Sequence, residues 1–263
     1  MNKSAVFFDI DGTLWDYEQK IIPSTVEAVR KLRAAGHMAF LCSGRSRSAI
    51  TAKELLDIGF DGIVGGCGTY FEYLGDIVYS DEIAWDRLKK DADFFRAHDI
   101  CAILEGVDYL YVDTKLFPED DKYIESLKAQ LSDTFREFED LNQDSRVNKY
   151  SVDFRNSSES VIRDHFTDYN IVVHAKSTVA EIMPGKEVSK ATGIKRAIEH
   201  LGIDYDNTYS FGDSFNDIDM IKYTAHSVAM GNAVSYIKEI SEYVTTHVNE
   251  DGIYNGLEHF GLI

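Results

Sequence analysis

The sequence has few cysteines, few prolines and no long uncharged apolar run. Three cysteines stand in 263 residues, Cys42, Cys67 and Cys101, an odd number with no CxxC pairing. That excludes a disulfide framework and a cysteine zinc site, leaving three small buried or half-buried thiols. Proline also occurs three times. No Pro/Ser-rich linker, low-complexity tract or internal repeat divides the chain. No apolar run reaches the roughly 18 residues of a membrane span, and Met1 to Ser4 lead directly into a strand-like segment without secretory signal architecture, so a cytoplasmic protein with no membrane partner is expected. Positive charge is short as well: 27 Lys and Arg face 45 Asp and Glu, a formal charge of -18. Nucleic-acid binding driven by phosphate attraction is therefore not expected. HExxH, GxSxG and Walker A patterns are absent, which removes the zinc peptidase, serine hydrolase and P-loop readings.

What is present is an ordered alternation of strand and helix. Ala5 to Ile10 is an apolar run of strand length with Asp9 and Asp11 at its exit. Ser24 is placed as a helix N-cap, with Glu27 completing a capping box and Gly36 closing the helix. His37 to Cys42 reads as a strand, Ser48 to Ile58 as a helix, and Asp61 to Val64 as a third strand, a βαβαβ run that requires a parallel sheet. The same grammar returns late: a helix over Ser189 to Leu201, then strands at Thr208 to Phe211, His226 to Met230 and Tyr243 to Thr246. Between them the pattern changes to α+β. Helices are expected from about Asp120 to Phe138 and from Ser158 to Phe166, and strands at Asp108 to Asp113, Tyr150 to Phe154, Ile171 to His174 and Thr178 to Ile182. The expected organisation is a discontinuous core, residues 1–82 and 184–263, with residues 83–183 inserted.

Four short segments carry chemistry. In Asp9-Ile-Asp11-Gly-Thr13, residues i and i+2 of an extended chain point the same way, so two carboxylates can face one site at the carboxyl end of a parallel strand, where open α/β sheets bind ligands. The plainer alternative is a strand ending in an Asp-Gly turn. Gly212-Asp-Ser-Phe-Asn-Asp217 follows another expected strand and brings Asp213, Asn216 and Asp217 within a helical turn, an oxygen-rich set suited to Mg²⁺ or, more simply, a polar helix cap. Ser43-Gly44 ends the second strand, where a hydroxyl and backbone N–H groups can hold a phosphate. Lys190 stands in a helical segment where a solvated lysine is the default.

Taken together and in order, Asp9 to Thr13, Ser43, Lys190 and Gly212 to Asp217 resemble the four motifs of the haloacid dehalogenase superfamily of phosphohydrolases. The layout resembles its Cof-like branch. One loop, helix and strand use up the segment between Thr13 and Ser43, whereas the stretch from Ser43 to Lys190 has room for a cap domain. The resemblance implies a Rossmann-like parallel-sheet core with an inserted α+β cap. It assigns Mg²⁺ to the Asp9 side chain, the Asp11 carbonyl and Asp213, with Asp217 in support. It makes Asp9 the nucleophile and Asp11 the general acid and base, and it gives Ser43, the Ile10 and Gly44 N–H groups, Lys190 and Asn216 to the phosphoryl oxygens. One position departs: where relatives usually carry Asn-Gly after the third strand, this chain has Cys67-Gly68. A carboxylate approaching a phosphate dianion at about 4 Å meets roughly 8 kcal/mol of repulsion at an effective dielectric near 20, which a metal and a lysine would reverse. The expected activity is hydrolysis of a small-molecule phosphate ester. Transfer to a second hydroxyl, as in a phosphomutase, and a non-enzymatic metal-binding regulatory domain are the alternatives.

Overall fold

The computed structural model describes residues 3–174 and 177–263; Met1, Asn2, Ala175 and Lys176, and the readings that touch them, lie outside. Strands β1 to β5 are Ala5–Phe8, Met38–Cys42, Gly62–Gly65, Tyr70–Tyr73 and Asp76–Ser80. Next come β6 to β11, at Cys101–Gly106, Leu110–Val112, Phe135–Glu137, Val147–Asp153, Tyr169–Val173 and Val179–Pro184. The last three, β12 to β14, are Thr208–Gly212, His226–Ala229 and Tyr243–Val244. The α-helices α1 to α5 are Pro23–Ala34, Lys53–Leu56, Trp85–Ala97, Lys122–Gln130 and Glu159–His165. Helices α6 to α9 are Lys190–Leu201, Ile218–Tyr223, Ser235–Ile240 and Gly252–His259. The chain divides into two compact units, one made of the described residues of Met1–Gly44, Ala52–Val78 and Ser189–Ile263, the other of those of Arg45–Thr51 and Tyr79–Val188.

The first unit is a mixed α/β layer structure with an eight-stranded sheet in the order β14-β13-β12-β1-β2-β3-β4-β5. All pairings from β14 to β3 are parallel, and β4 returns antiparallel to β3. Every residue of β1 is buried, because a parallel strand covered by helices on both faces must be apolar throughout. Phe8 packs on Phe211 and Phe7 on Phe40, both with ring centroids 5.1 Å apart, which holds β1 to its two neighbours by side chain as well as by ladder. The chain leaves β1 toward β2 and β3 on one side, while β12 and β13 lie on the other. β1 thus sits at the switch point where doubly wound sheets open a crevice at their carboxyl ends.

Two helices of this unit depart from the sequence reading. Helix α1 starts at Pro23, with Ile22 as its cap and no side-chain cap bond. Proline at the first helical position needs no N–H partner and presets the turn, which moves the start one residue upstream of Ser24. The expected capping box does not form: the Ser24 hydroxyl has no hydrogen-bond partner, and Glu27 pairs with Lys31 at 2.8 Å. The helix expected over Ser48 to Ile58 is reduced to a single turn, α2, preceded by a 3₁₀ turn at Arg47–Ala49. Arg45–Thr51 belongs to the second unit, where the Ser48 hydroxyl donates to the Gly106 carbonyl at 2.8 Å and the Ser46 N–H to Glu105. These bonds hold the segment out of helical register.

The second unit is an α+β layer with strand order β10-β11-β9-β6-β7-β8. It is antiparallel except for β7 with β8. Leu88 and Phe95 of α3 and Ile162 of α5 pack on Leu104, Tyr150 and Ile182 of one sheet face. On the other face Ile103 and Val112 meet Ile124 of α4. That same face carries Glu105 directly opposite Lys149, with Glu181 beside them; Lys149 is 1% exposed and bonds both carboxylates. Helix α3 and strand β6 had no counterpart in the sequence reading. The long helix expected from Asp120 to Phe138 ends at Gln130, because the turn closed by the Phe135 N–H on the Leu131 carbonyl feeds Phe135–Glu137 into the sheet as β8.

Candidate active site

Asp9, Ser43 and Asp213 each follow the carboxyl end of one of three adjacent parallel strands, β1, β2 and β12. Asp9 is 3% exposed, and its N–H donates to the Phe211 carbonyl at 3.0 Å, which continues the ladder one residue beyond β1. The chain then turns: the Ile10 carbonyl accepts from the N–H groups of Thr13, Leu14 and Trp15. Gly12 is required here twice over. Its φ is +81°, and a Cβ at this point would lie 2.3 Å from Asp213 Oδ2, so only glycine lets the turn pack on that carboxylate. The Thr13 hydroxyl donates to Asp213 Oδ1 at 3.3 Å, and Tyr17 donates from its phenol to Asp213 Oδ2 at 2.8 Å.

Lys190 is the first residue of α6, placed there by Ser189, whose hydroxyl caps the helix by accepting from the Thr192 N–H while Thr192 bonds back to the Ser189 N–H. A second constraint fixes the helix start. Gly68, at φ +94°, lies so close that a Cβ would stand 2.1 Å from the Ser189 carbonyl oxygen, so the Cys67-Gly68 turn packs directly on the base of α6. The Lys190 ammonium is 2.6 Å from Asp9 Oδ1 and 2.7 Å from Asp217 Oδ1. Asp217 uses its other oxygen to accept from the backbone N–H groups of Asp213 and Ser214, at 2.9 and 3.0 Å. It thereby holds the Asp213 loop and the lysine together.

Ser43 is buried; its N–H donates to the Val64 carbonyl, and its carbonyl accepts from the Cys67 N–H at 3.1 Å. Asn216 is exposed beside Gly44: its Nδ2 lies 3.8 Å from where a Cβ on Gly44 would stand, and its Oδ1 accepts from the Ser214 hydroxyl. Cys67, in left-handed backbone at φ 55°, brings its Sγ to 3.5 Å from that same Gly44 point. The thiol stands at the position where the family resemblance leads one to expect an asparagine, and it lies beside Gly44 without an amide. All three cysteines are buried thiols.

Asp9, Asp213 and Asp217 can offer one oxygen each within 4.8 Å of one another, all three buried. Three carboxylates against a single ammonium leave the cluster short of positive charge. Burial and the charge of Asp217 push Asp9 well above the ordinary carboxylate range despite the Lys190 contact. Burial, with Asp217 second, raises Asp213 to about 6, although Tyr17, Lys190 and Thr13 oppose the rise. Burial pulls the Lys190 ammonium down, but the charges of Asp217 and Asp9 outweigh it and hold the amine above its usual value. A hard divalent cation with oxygen preference would relieve this imbalance, so the donor set fits such an ion.

Three participants had no sequence signal assigned to them. Trp15 donates its indole N–H to Asp11 Oδ1 at 2.9 Å, Tyr17 reaches Asp213 across 196 positions of chain, and Asn232 donates from its amide to the Gly12 carbonyl at 2.7 Å. Asn232 was accessible in principle, since it follows β13, whose carboxyl end lies at the same sheet edge. The tyrosine contact has no local pattern that would reveal it.

A doubly wound parallel sheet with a buried carboxylate at its switch point and an acidic, lysine-bridged cluster beside it is the layout the sequence resemblance implies. The haloacid dehalogenase-like hydrolase pattern matches residues 6–257, and the chain belongs to that family. Its family match and relatives place it in the Cof-like branch, among the phosphoric monoester hydrolases. It is 34% identical over 268 residues to "Putative phosphatase YkrA" of Bacillus subtilis (strain 168), with 100% of both chains covered. It is 27% identical over 267 residues to the 5-amino-6-(5-phospho-D-ribitylamino)uracil phosphatase YcsE of the same organism, covering 98% of this chain and 95% of that one. Among solved structures, the HAD subclass IIB sugar phosphatase BT4131 superposes with a TM-score of 0.78 at 28% identity, covering 99% of this chain and 100% of that one. Among the described residues, no helix is long and apolar enough to cross a membrane.

Proposed function

We propose that the protein is a Mg²⁺-dependent phosphatase that hydrolyses small phosphate monoesters, sugar phosphates or similar, through an aspartyl-phosphate on Asp9. The observation that carries the reading is the buried Asp9 carboxylate, aimed from the end of the switch-point strand and held by Lys190 within reach of Asp213 and Asp217. An ionised carboxylate needs no base to act as a nucleophile. Asp11 stands two residues on in the turn, where it gives a proton to the leaving oxygen and later takes one from the hydrolytic water. Ser43, the N–H groups of Ile10 and Gly44, Lys190 and Asn216 hold the phosphoryl oxygens as charge redistributes. Asp9, the Asp11 carbonyl and Asp213 would hold the metal, and Asp217, whose two oxygens serve Lys190 and the loop N–H groups, would keep the others in place. The bound cation supplies the positive charge that lets a carboxylate approach a phosphate dianion.

The named relatives support the substrate class, since one acts on a ribitylamino-uracil phosphate and another is a sugar phosphatase. A panel of sugar, nucleotide and cofactor monophosphates, assayed for phosphate release with Mg²⁺ and again with EDTA, tests the proposal. Release from several small esters that EDTA abolishes is the expected result. Failure to turn over any ester with Mg²⁺ would refute it.

A further inference from the structure

Trp15 is 3% exposed and its indole is turned back on the catalytic turn. The turn is closed from both sides: the Gly12 N–H donates to the Trp15 carbonyl at 2.9 Å, and the Trp15 N–H donates to the Ile10 carbonyl at 3.3 Å. Asp11 and Trp15 form an isolated bridge of two residues. Within this frame the indole Nε1–H donates to Asp11 Oδ1 at 2.9 Å. An indole N–H can only donate, and in a protonated carboxyl the carbonyl-type oxygen is the better acceptor, so this bond favours the proton on the other oxygen. We propose that Trp15 is the positioning residue of the general acid: it fixes the rotation of the Asp11 carboxyl and assigns the transferable proton to Oδ2.

The inference rests on the phosphatase reading and adds to it the atom that does the acid work. In the first step an oxygen of Asp9 forms its bond to phosphorus while the bond from phosphorus to the ester oxygen breaks. The electron pair of that bond stays on the ester oxygen, and the proton on Asp11 Oδ2 moves to it, so a neutral alcohol leaves and Asp11 is left as carboxylate. A carboxyl free to rotate would present either oxygen, with the proton in the wrong place for part of the time. The indole removes that freedom without itself exchanging a proton.

The test uses the leaving group. An alkyl alkoxide needs a proton as it departs, whereas a nitrophenolate hardly does, and kcat/KM reports only the steps through formation of the phosphoenzyme. Trp15→Phe keeps an aromatic ring and loses the donor; replacement of Trp15 by benzothienylalanine keeps the fused-ring shape and loses only the N–H, which covers a packing defect in the first variant. Both are expected to lower kcat/KM at least about tenfold on alkyl phosphates and less than about twofold on p-nitrophenyl phosphate. Equal losses on both classes, or full activity of the benzothienylalanine protein on alkyl esters, would overturn the positioning role. A wild-type protein that cleaves neither class, or an Asp9→Asn variant that keeps its activity, would instead overturn the phosphatase reading on which the role depends.

Discussion

Replacing Lys190 with methionine, which keeps most of the apolar stem and removes the charged end, leaves Asp9 and Asp217 facing each other in a site where both are nearly inaccessible to water. The two ammonium contacts, 2.6 and 2.7 Å, each correspond to about 6 kcal/mol of gross attraction at an effective dielectric near 20. Most of this is offset by the cost of burying the three groups, and the measurable effect of breaking such a pair is about 3–5 kcal/mol. Against a total stability of about 5–15 kcal/mol this is a large fraction. Urea unfolding in EDTA is therefore expected to show Lys190→Met with a far lower midpoint than wild type. The double variant Lys190→Met, Asp217→Asn should recover part of the loss, since it removes one of the two stranded charges. Addition of Mg²⁺ should raise the midpoint of Lys190→Met more than that of wild type, because the cation takes over the missing positive charge. A Lys190→Met protein as stable as wild type in EDTA, or a double variant less stable than the single one, would refute the claim that the lysine balances these carboxylates.

Gly12→Ala should lower Mg²⁺ affinity at least tenfold and cost about 1–2 kcal/mol of stability from the left-handed backbone alone, because the new Cβ would meet Asp213 Oδ2 at 2.3 Å; titration calorimetry and thermal unfolding measure the two effects. With Asp213 raised to about 6 and Asp9 also pushed up, metal affinity should climb with pH through about 6, since binding must displace the Asp213 proton below that point; calorimetry across pH 5 to 8 would show the rise, and a flat profile would contradict it. In the second unit, the Lys149 charge and the His174 contact overcome burial and hold Glu181 at about 2, down from 4.5. A carboxyl lowered on folding contributes stability that is present above pH 4.5 and lost as pH falls from 4.5 toward 2. Lys149→Met should therefore destabilise this unit by about 3–5 kcal/mol at neutral pH and flatten its acid unfolding, as followed by circular dichroism.

The parallel core was legible because its strands are buried on both faces and read as continuous apolar runs, as at Phe7-Phe8 and Phe40-Leu41. The motif carboxylates were legible for a related reason: Asp9 and Asp213 interrupt such runs at their carboxyl ends, where a charge has no packing role. The inserted unit was harder. Its helix α3 begins at Trp85 with polar residues between its buried ones, and β6 follows it closely, so neither period stood out. The division of Arg45–Thr51 from the strand before it depends on the Ser48 and Ser46 bonds to Gly106 and Glu105, which join residues almost sixty positions apart. The same holds in the site: Lys190 was assigned from its place in a motif, whereas Tyr17 on Asp213 and Asn232 on Gly12 are long-range contacts that no local spacing encodes. Ser24 shows the opposite error, a correct local signature overruled by the proline beside it.

As proposed, Asp9 carries the phosphoryl group between ester and water. Wild-type protein mixed with Mg²⁺ and a phosphate-labelled ester, quenched in acid during turnover and digested, should yield label on the peptide that contains Asp9, and Asp9→Asn should yield neither label nor phosphate release. Undiminished phosphate release by Asp9→Asn, or label on a peptide that lacks residue 9, would contradict the account.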